Sequence, residues 1–144
     1  MKRVPIRFEK VGRKKIQVWY DNFEYFQPNN HVCGDCAIRA VAKALNLTWE
    51  DALTAMYNEA MKIKENPTSR ETIGAVLKAN GFKWVATNPK RGGKRPIVTN
   101  FAKENNERTY VLNLSSHVVA AANGKYYDIW DSGDKPLYGY WVKE

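Results

Sequence analysis

Cysteine and histidine are scarce in this chain, with two of each in 144 residues, and each scarcity removes a class of function. Two cysteines three positions apart cannot build a disulfide framework. No Cys or His cluster has zinc-ligand spacing, so neither a metal nor any other cofactor is expected. No window approaches the roughly 18 apolar residues of a membrane span, and "MKRVPIRFEKVGRKK" lacks the apolar stretch of a signal peptide. A cytoplasmic, reducing setting without membrane contact is therefore expected. Acidic residues are outnumbered, 15 against 23 Lys and Arg, which leaves a formal net charge of +8.

What is present describes a folded domain. An apolar content of 44%, 12% aromatics and a mean hydropathy of -0.58 fit one globular unit over residues 1–144, long enough to bury a core. The excess charge gathers at Lys2, Arg3, Arg7, Lys10, Arg13, Lys14 and Lys15 and in "PKRGGKR" at 89–95. Such runs either stay solvated or hold an acidic partner or nucleic acid. No basic and aromatic residues interleave as a base-stacking array.

Periodicity changes along the chain. "KKIQVWY" (14–20) alternates as a strand and is followed by an irregular aromatic stretch. From Cys36, Ile38, Val41, Ala42 and Leu45 recur at helical spacing, giving a helix over about 36–46. "TWED" (48–51) opens a second helix with Leu53, Met56, Tyr57, Ala60 and Met61 on one face. "NPTSRET" opens a third, with Ile73, Val76 and Leu77 inward and Asn80-Gly81 closing it. The second half reads as strands at 82–87, 109–114, 117–122, 125–130 and 137–143, with a short helix near 99–105. Helices followed by an antiparallel sheet make an α+β layout.

The stretch "NNHVCGDCAIRAV" (29–41) carries the chemistry. A cysteine in the first turn of a helix meets the positive end of the macrodipole and unpaired N–H groups, which favour its thiolate. Read structurally, Cys36 is a small buried hydrophobe. A redox Cys33-x-x-Cys36 pair lacks the preceding βαβ context. In "SSHVVAAANGKYYDIWDS", Asn123-Gly124 makes a two-residue hairpin turn, so Val119 faces Asp128 and His117 faces Trp130. Asp128 then lies diagonally from His117 on the same face, whereas Asp131 reaches it only if the turn has an odd count. An imidazole backed by a carboxylate is the base of a Cys–His–Asp arrangement. His31, in a loop, has no strand to position it. Trp130 belongs either to the core or to the wall of a cleft.

The chain resembles the papain-like cysteine peptidases. "CGDC" is similar to their C-G-[SA]-C-[WY] signature, with Asp35 and Ala37 departing from it, and the order of helix cysteine, sheet, histidine and polar partner is shared. The resemblance implies a papain-like fold with N-terminal helices packed on an antiparallel sheet. It also implies a peptide or protein substrate, Cys36 as nucleophile, His117 as base, and no catalytic duty for Cys33. The family's oxyanion-hole Gln stands six residues before the nucleophile, where this chain has Asn30; Gln27 matches in type but not in spacing. The interval from His117 to Asp128 is similar to that of NlpC-type peptidases, whereas "DS" at 131–132 resembles papain's Asn-Ser and keeps Asp131 open. "DCAIRA" and "HVVA…NGKYYDIWD" resemble short phage and prophage cysteine-peptidase-like proteins, which would place the chain in a host cytoplasm. Transglutaminase-like relatives share the chemistry, so the expectation covers hydrolysis and acyl transfer. The rival expectation is a catalytically silent binding module using the basic surface.

Overall fold

The computed structural model describes residues 7–18, 20–31, 34–89 and 93–144. Strands β1 (Arg7–Val11) and β2 (Lys14–Val18) pair as an antiparallel hairpin of their own, turning at Gly12, whose φ of +64° suits glycine. β3 (Phe23–Tyr25) follows, then helices α1 (Cys36–Leu45), α2 (Trp49–Ile63) and α3 (Arg70–Ala79). β4 (Phe82–Ala86), α4 (Val98–Glu104), β5 (Tyr110–Leu114), β6 (His117–Ala122), β7 (Lys125–Asp128) and β8 (Gly139–Lys143) complete the described elements. The main sheet among the described residues has six strands in the order β3-β7-β6-β5-β8-β4.

That sheet is mixed, which corrects the expectation of an antiparallel one: β3 runs parallel to β7, with Phe23 opposite Tyr126 and Tyr25 opposite Asp128. A three-residue strand in an aromatic stretch carries too little alternation to announce itself. Tertiary contacts fix it instead. Phe23 packs on Tyr126 with ring centroids 5.7 Å apart, and the Asn22 amide donates to the carbonyls of Thr99 and Gly124. The basic start likewise holds a strand, β1, that its charge had masked.

The sheet separates two apolar layers. On one face α1 to α3 bury Ile38, Val41, Met56, Ile73, Val76 and Leu77 against Phe82, Val111, Val118 and Ala120. On the other, α4 contributes Val98, Phe101 and Ala102 to a layer with Phe23, Leu112, Val119, Tyr126 and Leu137. Alternate residues of β5 and β6 feed the two layers, as the period of two requires. Helix α1 lies across β6 and beneath α2, and Ala37 to Ala42 are buried without a break. It is a central helix rather than a surface one.

Side-chain caps close the starts of α2 and α3, as the sequence signals imply, and neither α1 nor α4 has one. The Thr48 and Ser69 hydroxyls accept from Asp51 N and Thr72 N, each at 3.1 Å. Asp35, before α1, makes no such side-chain cap. The inward face of α2 is also narrower than expected. Ala52, Met56 and Ala60 are buried, while Tyr57 and Met61 are 50% and 65% exposed. The packing of α2 is against α1 and α3, which cover one stripe of it.

The β6–β7 hairpin has the expected register, with Ala122 opposite Lys125 and Ala120 opposite Tyr127. Asn123 and Gly124 both adopt positive φ, 55° and 79°, as a type I′ turn requires. Met56→Ala should cost about 2–5 kcal/mol, the range for an emptied core site, whereas Met61→Ser should stay within about 0.5 kcal/mol. Urea denaturation of the two variants measures the difference.

Candidate active site

Three elements meet where α1 begins. Cys36 is the first residue of α1 and is half-buried. The first N–H groups of a helix have no intrahelical acceptor, and here the residue type that most often caps them is turned elsewhere. The Asp35 carboxylate accepts from Arg39 Nε at 2.8 Å and from Trp49 Nε1 at 2.9 Å instead. The electropositive end of α1, where Cys36 stands, thus has no side-chain cap.

His117 opens β6, and its Nε2 lies 2.6 Å from Asp128 Oδ2. Nε2 is the nitrogen that donates to the carboxylate, which leaves Nδ1 for the thiol. Cys36 lines one hollow together with that imidazole and Val118. Burial alone would raise the thiol pKa. The His117 hydrogen bond, the Val118 N–H and the positive charges of His117 and Arg39 outweigh it and bring the pKa below its ordinary value. Burial would likewise strip His117 of its proton. Hydrogen bonds to Asp128 and Cys36, with their charges, win and raise its pKa to about 9. Both shifts favour a thiolate beside an imidazolium.

Asp128 is fully buried at the end of β7 and its acceptor sites are filled. Oδ1 receives Arg39 Nη1 at 2.9 Å and Ile129 N at 2.8 Å; Oδ2 receives His117 and the Ser132 hydroxyl at 2.9 Å. Arg39, 4% exposed, therefore bridges Asp35 and Asp128, tying the start of α1 to the carboxylate behind the histidine. Sequence reasoning passed over Arg39 and Ser132. The signal for Arg39 was available: a lone guanidinium within "DCAIRAVA" sits on a helix buried nearly all round, and such a charge must be paired. Ser132 carried no comparable signal.

Asp131 sits in a separate network. It accepts from the Tyr126 hydroxyl, from Gly133 N at 2.6 Å and from Tyr20 N at 3.3 Å. Burial raises its pKa, incompletely opposed by those donors. It anchors the segment after β7, and the carboxylate hydrogen-bonded to His117 is that of Asp128. Gly133 is glycine for want of space, since an added Cβ would stand 2.6 Å from the Tyr20 ring and 2.7 Å from the Asp131 carboxylate.

Trp130 stacks on His117 with centroids 4.9 Å apart and planes inclined by 31°, and is 40% exposed. Two hollows flank the pair. One, about 110 Å³, is lined by Cys36, Thr68, Arg70, Ile73, Ser116 and His117, among others. The other, about 230 Å³, includes Ser116, His117, Trp130 and Lys135. Neither contains Asn30 or Gln27. Asn30 is exposed, and the Gln27 amide donates to His31 O at 3.1 Å within its own loop. Cys33 lies outside the described residues.

The basic segments are partly outside them too. Residues 1–6 and 90–92 are not described, while Lys10, Arg13, Lys14 and Lys15 are exposed around the β1–β2 turn. Arg95 is committed to the fold, donating to Thr87 O at 2.6 Å with its guanidinium 4.3 Å from the Tyr138 ring centre. No described helix is long and apolar enough to cross a membrane. No family model, curated protein or solved structure matches this chain.

Replacing Arg39 with Met strands two buried carboxylates and should destabilise the fold by about 3–5 kcal/mol. Arg39→Lys keeps a charge but not the fork that reaches both acids, and should fall between. Thermal and urea unfolding of the three proteins provide the comparison.

Proposed function

We propose that this protein is a papain-like cysteine hydrolase acting on a peptide or other amide through a thioester acyl-enzyme. The observation that carries the reading is the placement of one imidazole beside two groups: His117 Nε2 is 2.6 Å from a fully buried carboxylate, and the same ring lines a hollow of about 110 Å³ with Cys36 at a helix start. In this reading the Cys36 thiolate attacks the carbonyl carbon. The proton held by His117 goes to the leaving amine as the C–N bond breaks. Water, deprotonated by the now neutral imidazole, then attacks the thioester and releases the acid and the thiol. Asp128 holds the ring in the tautomer that presents Nδ1 to sulfur, as the acid of such triads does.

Charge on the carbonyl oxygen needs donors, and the first-turn N–H groups of α1 are the candidates the fold leaves without a side-chain cap. Asn30 and Gln27 line neither hollow, so the proposal gives them no part in the resting site. An amine in place of water would make the reaction acyl transfer with the same residues. The second reading, a binding module for nucleic acid or an acidic protein, draws on the exposed cations around the β1–β2 turn.

The pH dependence follows from the two shifts. A thiolate–imidazolium pair exists above the lowered pKa of Cys36 and below the raised pKa of His117, about 9. Alkylation of Cys36 by iodoacetamide, followed by mass spectrometry, should rise along a limb below the thiol's ordinary value. His117→Ala should move that limb upward. Turnover of a peptide substrate should fall as pH passes about 9, where the leaving group loses its acid. Asp128→Asn should suppress neutral-pH alkylation at least about tenfold while Asp131→Asn leaves it unchanged. Alkylation of Cys36 that is indifferent to His117 would overturn the hydrolase reading in favour of the binding module.

A further inference from the structure

The hollow of about 230 Å³ beside His117 has a chemistry of its own. Leu114, Trp130 and Pro136 are its apolar lining residues, and Ser115, Ser116, His117 and the exposed Lys135 are its polar ones. The volume falls short of the roughly 300–1,000 Å³ of pockets that enclose a whole small molecule, and suits a single side chain of a longer ligand.

Its positive end is held by a fixed backbone. Lys135 N donates to Ser132 O at 3.0 Å, and Lys135 O accepts from Val98 N at 3.0 Å. The adjoining Pro136 bridges to Ile97, and Leu137 N donates to Pro96 O at 2.9 Å. Among the described residues no carboxylate pairs with the Lys135 ammonium. The other polar residues lining the hollow, Ser115, Ser116 and His117, include no carboxylate and can each donate a hydrogen bond. Ser116, at φ +56°, takes a backbone conformation uncommon for a residue with a side chain and lines both hollows. The hollow beside Lys135 therefore adjoins the one beside Cys36, with Ser116 and His117 lining both.

We propose that this hollow is a subsite for a carboxylate carried on a short apolar stem, the side chain of a glutamate next to the bond that Cys36 attacks. The carboxylate meets Lys135 and the serine hydroxyls, and the two methylenes lie along Trp130 and Pro136. Aspartate, one methylene shorter, fits less well. A ligand of this charge also suits a chain of net charge +8. The proposal rests on the hydrolase reading only in calling the carboxylate part of a substrate; occupancy of the hollow does not depend on thiol chemistry. The same carboxylate chemistry could come from a chain terminus, and the test separates the two sources.

The test is a titration of the full-length Cys36→Ala chain, read by the indole N–H signal of Trp130 in heteronuclear NMR. Three probes are compared: N-acetylglutamate N-methylamide, its glutamine counterpart and N-acetylalanine. The glutamate probe should bind about fivefold more tightly than the glutamine one, the scale of one partly exposed ion pair. Lys135→Ala should erase that preference, and Lys135→Glu should reverse it in favour of the glutamine probe. The Lys135 side chain is exposed, so both variants are expected to fold, and circular dichroism checks that they do. Tight binding of N-acetylalanine without the glutamate probe would overturn the side-chain assignment and make the hollow a site for chain ends. Equal binding of glutamate and glutamine, or a preference that survives Lys135→Ala, would overturn the subsite altogether. Glutamate binding in Cys36→Ala combined with no turnover of glutamate peptides by the wild type would count against the hydrolase reading and leave the subsite standing.

Discussion

The guanidinium of Arg39 is the group on which the rest of the site depends. It is buried on the central helix between two carboxylates, Asp35 at 2.8 Å and Asp128 at 2.9 Å, and each would be costly to bury without it. Because Asp35 precedes Cys36 and Asp128 lies behind His117, one side chain fixes the thiol-bearing end of α1 relative to the imidazole-bearing end of β6. Arg suits the position because its planar fork donates from Nε to one acid and from Nη1 to the other. The link is also electrostatic, since the Arg39 charge is among the causes that lower the Cys36 pKa.

From that bridge the surroundings follow in layers. Asp128 accepts Arg39, Ile129 N, Ser132 and His117, so the carboxylate has little freedom to rotate away from the ring. Ser132 directly follows Asp131, which is anchored to Tyr126, Gly133 and Tyr20. The two aspartates, three residues apart, thus divide the work: one orients the histidine and the other holds the segment that carries Trp130, Ser132 and Lys135. Trp130 then covers the imidazole on its outer side. In the proposed hydrolase, preorganisation of this kind would keep the reacting groups in place without reorganisation, the condition under which fixed dipoles are most effective.

The β6–β7 turn is the second constraint. A two-residue I′ turn at Asn123-Gly124 fixes the pairing of Ala122 with Lys125, and side-chain parity along both strands follows from it. His117 and Asp128, eleven residues apart, meet because of that count. One inserted residue in the turn would send the carboxylate to the opposite face of the sheet.

These dependencies divide what was legible in the sequence from what was not. The sequence by itself determined the helices and the hairpin register, and favoured Asp128 over Asp131 on the face of His117, because each rests on local periodicity, capping chemistry or a turn of fixed length. It also marked Cys36 as a helix-start thiol. Only the tertiary structure decided that β3 joins the sheet in parallel, that Tyr57 and Met61 lie outside the core, and that Asp131 belongs to a different network from Asp128. It likewise decided that the charge on α1 is the centre of the site rather than an exception on a buried face. The reason is common to all four. Partner choice for a short strand, coverage of a helix face and pairing of a buried charge depend on groups tens of residues away, and a local pattern carries no record of which distant group arrives.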